Sequence, residues 1–227
     1  LRAVLWLYTL RFIMQQRYSN QFNIPLPLAV FLATDDYDFE PNVISATSLM
    51  KSTRQLVLSK RVKPSESMID IAGLVSSRMG SAIHAAIEKA WLNPREAILA
   101  LGYPSKIADN VLIKRIVVNP TEVTSEQIPV YMEIRKSIKL GDWTVSGKFD
   151  FVAEGRVQDF KSTSVYGYLN QTNAEKYSLQ GSIYRWLNQD IISKPDMTIN
   201  YIFTDWSAAD AKQNPDYPQA RVHVQRI

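Results

Sequence analysis

The 227-residue chain carries 26 Lys and Arg against 22 Asp and Glu, a formal net charge of +4, with 46% hydrophobic residues and no cysteine. That length suits one domain with a core of its own, and the lack of thiols excludes disulfides, thiolate zinc sites and iron–sulfur clusters within it. Any metal must bind through oxygen and imidazole, which favours Mg²⁺ or Mn²⁺; no apolar run reaches the ~18–20 residues of a membrane span; the mild basic excess is compatible with a polyanionic partner.

Leu1–Met14 is apolar, with Arg2 and Arg11 interspersed, and no small-residue cleavage site follows. Met14 is therefore read as the natural start. Residues 1–44 are read as an N-terminal extension, partly non-native, ahead of a single domain over 45–227. Residues 1–18 are weakly helical and 19–42 loop-like, with Pro25, Pro27, Pro41 and the acidic run Asp35-Asp36-Tyr37-Asp38. The Ser45–Ser48 segment caps a predicted helix reaching about Lys60, and 66–78 forms another. Ser81–Leu92 is the clearest helix of the first half, with Ile83, Ile87, Ala90 and Trp91 as its core stripe. Pro94 opens a short helix ending near Gly102. The period then switches to two. Val130–Leu140 and Trp143–Val152 are joined by Gly141-Asp142, and Glu154-Gly155 leads into Arg156–Lys161. Helical spacing returns over 173–188, through Leu179, Ile183, Trp186 and Leu187. Met197–Thr204 is a strand, parallel to an earlier one because a helix intervenes. A polar loop over 205–219, with Pro215 and Pro218, precedes a last strand at Ala220–Arg226.

Strand alternation places Trp143, Val145, Gly147, Phe149 and Phe151 on one face, and Thr144, Ser146, Lys148 and Asp150 on the other. Asp159 lies nine positions after Asp150 and shares a face with Lys161, while Phe160 points away. If the two polar faces coincide, two carboxylates converge beside an amine. Such a pair repels unless a cation lies between. A hard divalent ion there polarises a phosphodiester and acidifies a bound water. Each element has a plainer reading. A lone D-x-K is usually a surface ion pair, and a lone helical histidine is usually a satisfied, half-buried side chain. It is the combination that points to metal-dependent phosphodiester chemistry. His84 and Glu88 stand at i and i+4 on one helix side. Gly80 either bounds that helix or permits close approach to a strand or to DNA. Tyr177, Gln180 and Tyr184 lie near one face of the later helix, either as half-buried aromatics or as a stripe gripping phosphate and stacking on a base. Glu133, mid-strand among apolar residues, is a further candidate. Lys51, Arg54, Lys60, Arg61 and Lys63 form either a solvated helix face or a track for a nucleic-acid backbone.

Taken in order, G-S-x-x-H-x-x-x-E from Gly80 to Glu88, G-K-F-D from Gly147 to Asp150, V-Q-D-F-K-S-T from Val157 to Thr163 and Q-x-x-x-Y from Gln180 to Tyr184 resemble the PD-(D/E)XK nuclease superfamily. The likeness lies with its RecB-like, Cas4-like exonuclease branch, which includes phage exonucleases, and spans roughly 45–205. The resemblance implies an α/β fold with a restriction-endonuclease-like core: helix, three-strand meander, helix, strand, with a mixed central sheet flanked by helices. It implies His84, Asp150, Asp159 and the Phe160 carbonyl as metal ligands, Lys161 with Asp150 and Asp159 as catalytic residues, and Gln180, Tyr184, Tyr177 and Ser81 as substrate-binding. Glu88 and Glu133 remain candidates. The last acid is Asp rather than Glu, no proline precedes Asp150, and the cysteine-free chain departs from the iron–sulfur members of the branch. The implied activity is an Mg²⁺- or Mn²⁺-dependent deoxyribonuclease in a bacterial or phage-infected cytoplasm. An exonuclease acting on single-stranded DNA or duplex ends, beside a separate helicase or recombination protein, is preferred. A structure-selective or restriction-type endonuclease and a non-catalytic nucleic-acid-binding module are the alternatives.

Overall fold

In the computed structural model, residues 18–34, 42–61, 68–101, 115–171 and 173–227 are described. The expectations for 1–17, the acidic run at 35–38, Lys63, and the helix ends at 66–67 and Gly102 fall outside them, as does the side chain of Lys60.

The chain is mixed α/β. Short strands β1 (Tyr18–Ser19) and β3 (Ile69–Asp70) pair in parallel, with helix α1 (Leu26–Ala33), β2 (Val43–Ser45), α2 (Ala46–Leu49) and α3 (Thr53–Arg61) between them. The prolines that read as loop at 25 and 27 instead start α1, where a missing N–H costs nothing. Leu32 of α1 is buried, and its carbonyl accepts a 3.0 Å bond from Arg78 Nε. The single helix expected over 45–60 is two, because Ser45 caps α2 by accepting from Ser48 N–H and the turn at Met50–Ser52 restarts the chain as α3. Conversely, the helices expected at 66–78 and 81–92 are one. Asp70 caps a 3₁₀ turn (Ile71–Leu74) that runs straight into α4 (Val75–Trp91), with Gly80 inside it. A Cβ on Gly80 would lie 3.4 Å from Ser162 Oγ, so the helix rides close on a strand at this point. Ala90, expected in the core stripe of α4, is exposed, while Ile83, Ile87 and Trp91 are half-buried. Helix α5 covers Arg95–Ala100.

The period-two region forms strands β4 (Ile116–Val118), β5 (Ile128–Met132), β6 (Arg135–Leu140), β7 (Trp143–Lys148), β8 (Phe151–Ala153) and β9 (Arg156–Thr163). Its two turns are where the sequence placed them. Gly141 takes φ 59°, while Glu154 and Gly155 take 51° and 74°, the left-handed pair that a tight hairpin needs. Each long strand of the expected meander is broken once, and the breaks face one another. Glu133, at φ 53°, donates its N–H to the Asp150 carbonyl at 3.1 Å. Beyond this kink the same hairpin changes sheet. β5 and β8 belong to a six-stranded sheet ordered β11-β10-β9-β8-β5-β4, whereas β6 and β7 form a three-stranded sheet with β2. The break also overturns the expected alternation. Phe149 packs with Val152 and Val157 in the main core, and Phe151 packs with Val130 and Met132 in a second cluster.

After β9 come α6 (Val165–Leu169), capped by Ser164, α7 (Ala174–Leu187), and β10 (Met197–Phe203), which runs parallel to β9 as expected. The supposed loop at 205–219 contains α8 (Ala208–Gln213), capped by Ser207, and β11 (Val222–Arg226) closes one edge antiparallel to β10. Helix α7 lies rotated from expectation. Its buried residues are Gln180, Gly181, Tyr184 and Leu187, while Leu179 and Trp186 are 46% and 38% exposed. Two glycines set that rotation. A Cβ on Gly147 would come within 2.7 Å of Leu187 and 3.2 Å of Tyr184, and one on Gly181 would collide with Met197. The Leu187 and Tyr184 side chains therefore pack onto the bare backbone of β7 at Gly147, the Met197 side chain of β10 packs onto the helix at Gly181, and the residues at these contacts go inside whatever their polarity.

Candidate metal centre where the two sheets part

The kink opens a gap beside β9. β8 pairs with β9 from Ala153–Arg156 to Phe151–Gln158, and there the pairing stops. Beyond it the next residues keep β10 on one side, but their edge toward β8 would be left without a partner, a costly state for a half-buried segment. Asp150 fills it, its Oδ2 accepting from Phe160 N–H at 3.1 Å. From the helix side His84 of α4 reaches the same place. Its Nε2–H donates to the Phe160 carbonyl at 2.9 Å and its Nδ1 lies 3.3 Å from Asp150 Oδ1. Both ring nitrogens thus face acceptors, and the imidazolium satisfies both. The bond to Asp150 is the main reason the His84 pKa is raised, against the opposing effect of burial. Glu133 completes the group: one ligand atom from each of His84, Glu133 and Asp150 lies within 4.8 Å of the others.

Within β9 itself, Asp159 is only 1% exposed and stands opposite Ile199 of β10, with Lys161 opposite Tyr201. Lys161 Nζ stands 2.6 Å from Asp159 Oδ2, an ion pair that meets the carboxylate off the hydrogen-bonding angle. Its Oδ1 has no partner among the described residues. Burial pushes the Asp159 pKa up to about 6. Lys161 pulls it back, and the nearby Asp150 pushes it further up. For Lys161 burial acts downward, but the attraction of Asp159 and Asp150 outweighs it and the pKa is raised. The ammonium also sits 5.4 Å from the ring centre of Tyr177. Asp159 thus feels both Asp150 and His84, yet it stands outside the three-residue group that could share an ion.

The remaining expected site residues fall as follows. The Phe160 carbonyl, expected as a metal ligand, is held by His84. Gln180 and Tyr184, expected on a substrate-facing stripe, are buried at 9% and 4% exposure and bonded to each other, Gln180 Nε2 donating to Tyr184 Oη at 2.7 Å. The glycine contacts of α7 turn that face inward, so these side chains underlie the site rather than line its surface. Tyr177 is half-buried beside Lys161. Ser81 is exposed, with its hydroxyl donating to the Ser77 carbonyl one turn back. Glu88 is half-buried and outside the ligand group. The sequence reading gave no role to Lys148, which forms an ion pair with Glu133. The signal was there: Lys148 stands two positions before Asp150, on the same expected strand face.

Oxygen and imidazole donors with no sulfur suit a hard divalent ion, and the unpartnered, fully buried Asp159 Oδ1 marks a place where positive charge is short. No family model and no curated protein matches the chain. A solved structure described as the crystal structure of SSO0001 is similar over 89% of this chain and 78% of that one, at 16% identity and a TM-score of 0.47, a likeness too distant to carry an argument.

Proposed function

We propose that this chain is a divalent-metal-dependent deoxyribonuclease with a restriction-endonuclease-like core of the RecB-like type, acting as an exonuclease on single strands or duplex ends. The observation that carries the reading is the meeting of His84, Glu133 and Asp150 at the parting of the sheets, with the Asp159–Lys161 pair of the D-x-K segment beside them. A binding module needs cations on its surface. It gains nothing from a carboxylate held inside at a raised pKa.

In this reading His84, Asp150 and Glu133 hold Mg²⁺ or Mn²⁺, with Asp159 close enough to share in its field. The ion supplies Lewis acidity toward a phosphodiester oxygen and toward water. Lys161, fixed by Asp159 and braced on Tyr177, keeps a full charge where negative charge gathers on the phosphoryl oxygens. Gln180 and Tyr184 hold the floor beneath it, and burial keeps the Tyr184 hydroxyl protonated, so it offers a neutral donor.

The test is degradation of end-labelled linear DNA, single- and double-stranded, beside a covalently closed circle, in Mg²⁺, Mn²⁺ or EDTA. Loss of the linear DNA alone, abolished by chelator, is expected. Cutting of the circle would move the assignment to an endonuclease. No chelator-sensitive cutting of any substrate would defeat the enzymatic reading.

A further inference from the structure

We propose that Lys148 and the divalent ion compete for Glu133, so that metal binding releases an ammonium at the mouth of the site for a substrate phosphate. The inference rests on the reading of His84, Glu133 and Asp150 as the ligands of that ion. Glu133 is held for one purpose. It sits in the kink between β5 and β6 with a left-handed backbone, uncommon for glutamate, and its N–H is fixed to the Asp150 carbonyl. Its carboxylate, 17% exposed, belongs both to the three-ligand group and to the ion pair with Lys148. The carboxylate carries one negative charge, so an ammonium and a divalent ion held on it together repel each other, and each weakens the other's hold. Lys148 is 45% exposed, whereas His84 and Asp150 are 28% and 13% exposed, so the ammonium is the group with the readiest access to water. The ammonium is therefore the cation that leaves. On leaving it stands at the exposed end of β7, paired across the sheet with Arg135, which is exposed and has Ser146 Oγ at 3.5 Å as its described polar contact. Two cations side by side at the edge of an acid group fit a phosphodiester and repel a bare metal ion. Linkage then requires metal and anionic substrate to favour each other's binding.

The competition sets the sign of a simple experiment. Mn²⁺ is titrated calorimetrically, without DNA, into wild type, Lys148→Gln and Glu133→Gln. Release of a half-exposed ion pair predicts Mn²⁺ binding about two- to fivefold tighter in Lys148→Gln, and weaker in Glu133→Gln. Thermal melting gives the second readout, since the Mn²⁺-induced rise in Tm should be larger for Lys148→Gln than for wild type. Tighter binding in Lys148→Gln supports the inference even where wild type binds too weakly to measure. If wild type binds Mn²⁺ and Lys148→Gln binds it no tighter, the inference fails while the metal reading stands. If none of the three binds, both fail together.

Discussion

Replacing Asp159 with asparagine removes a carboxylate that the fold holds in its charged form only with difficulty. In the unfolded chain this group titrates near 3.8, and in the metal-free fold burial lifts it to about 6. A group so raised gives stability that is fully present below the unfolded value and is lost as pH rises through the folded one. The gap corresponds to about 3 kcal/mol at 1.36 kcal/mol per pH unit. Asparagine cannot titrate. The difference in unfolding free energy, wild type minus Asp159→Asn, should therefore fall by about 3 kcal/mol between about pH 3 and pH 7 in EDTA, and level off outside that window. Lys161 adds a constant offset, because its raised pKa keeps it charged throughout in wild type. His84 titrates in both proteins and cancels to first order. Urea unfolding at a series of pH values measures the difference directly, and Mn²⁺ should flatten it by restoring the ionised form. A difference independent of pH, or one that grows as pH rises, would refute the account of Asp159.

Other expectations concern the parts around it. Lys161→Met should abolish cutting while leaving Mn²⁺ affinity, read by calorimetry, within about threefold of wild type, since the amine lies outside the three-ligand group. His84→Ala removes an imidazole that bridges α4 to Asp150 and β9, and should weaken Mn²⁺ binding by about tenfold or more. Gly147→Ala forces a methyl group against Leu187 and Tyr184 and should cost about 1–3 kcal/mol in urea unfolding, whereas Gly80→Ala, with 3.4 Å to Ser162 Oγ, should cost much less.

What could be read from the chain follows from which features are local. The turns at Gly141 and Glu154-Gly155, the parallel β10 and the placing of Asp159 and Lys161 on one face with Phe160 on the other all depend on near neighbours in sequence. The kink at Glu133 and Phe149–Asp150 does not. Nothing in those residues forbids an unbroken strand, and only the split of the hairpin between two sheets makes the break necessary. Because of that break, Phe149 and Phe151 part company and Glu133 joins His84 and Asp150. The face of α7 was misjudged for a related reason. Hydrophobicity put Leu179 and Trp186 inside, but the fit of Leu187 and Tyr184 over Gly147 and of Met197 over Gly181 decided otherwise. The serine cap of the helix at 46–49 was legible although its early stop was not, whereas the short helices at 165–169 and 208–213 carried serine caps visible in the sequence and were obscured by their flanking polar residues.

The bend that divides the hairpin also insulates the candidate metal centre from what lies beyond it. The acids and the imidazole are pinned on the near side, through bonds to Phe160 and between Glu133 and Asp150, whereas the far arm ends at the open turn Gly141-Asp142, flanked by half-exposed Leu140 and Trp143. Matched two-residue extensions of both arms would preserve register there. A reporter group or a foreign recognition peptide spliced into that tip would travel with the protein without disturbing the His84–Glu133–Asp150 group.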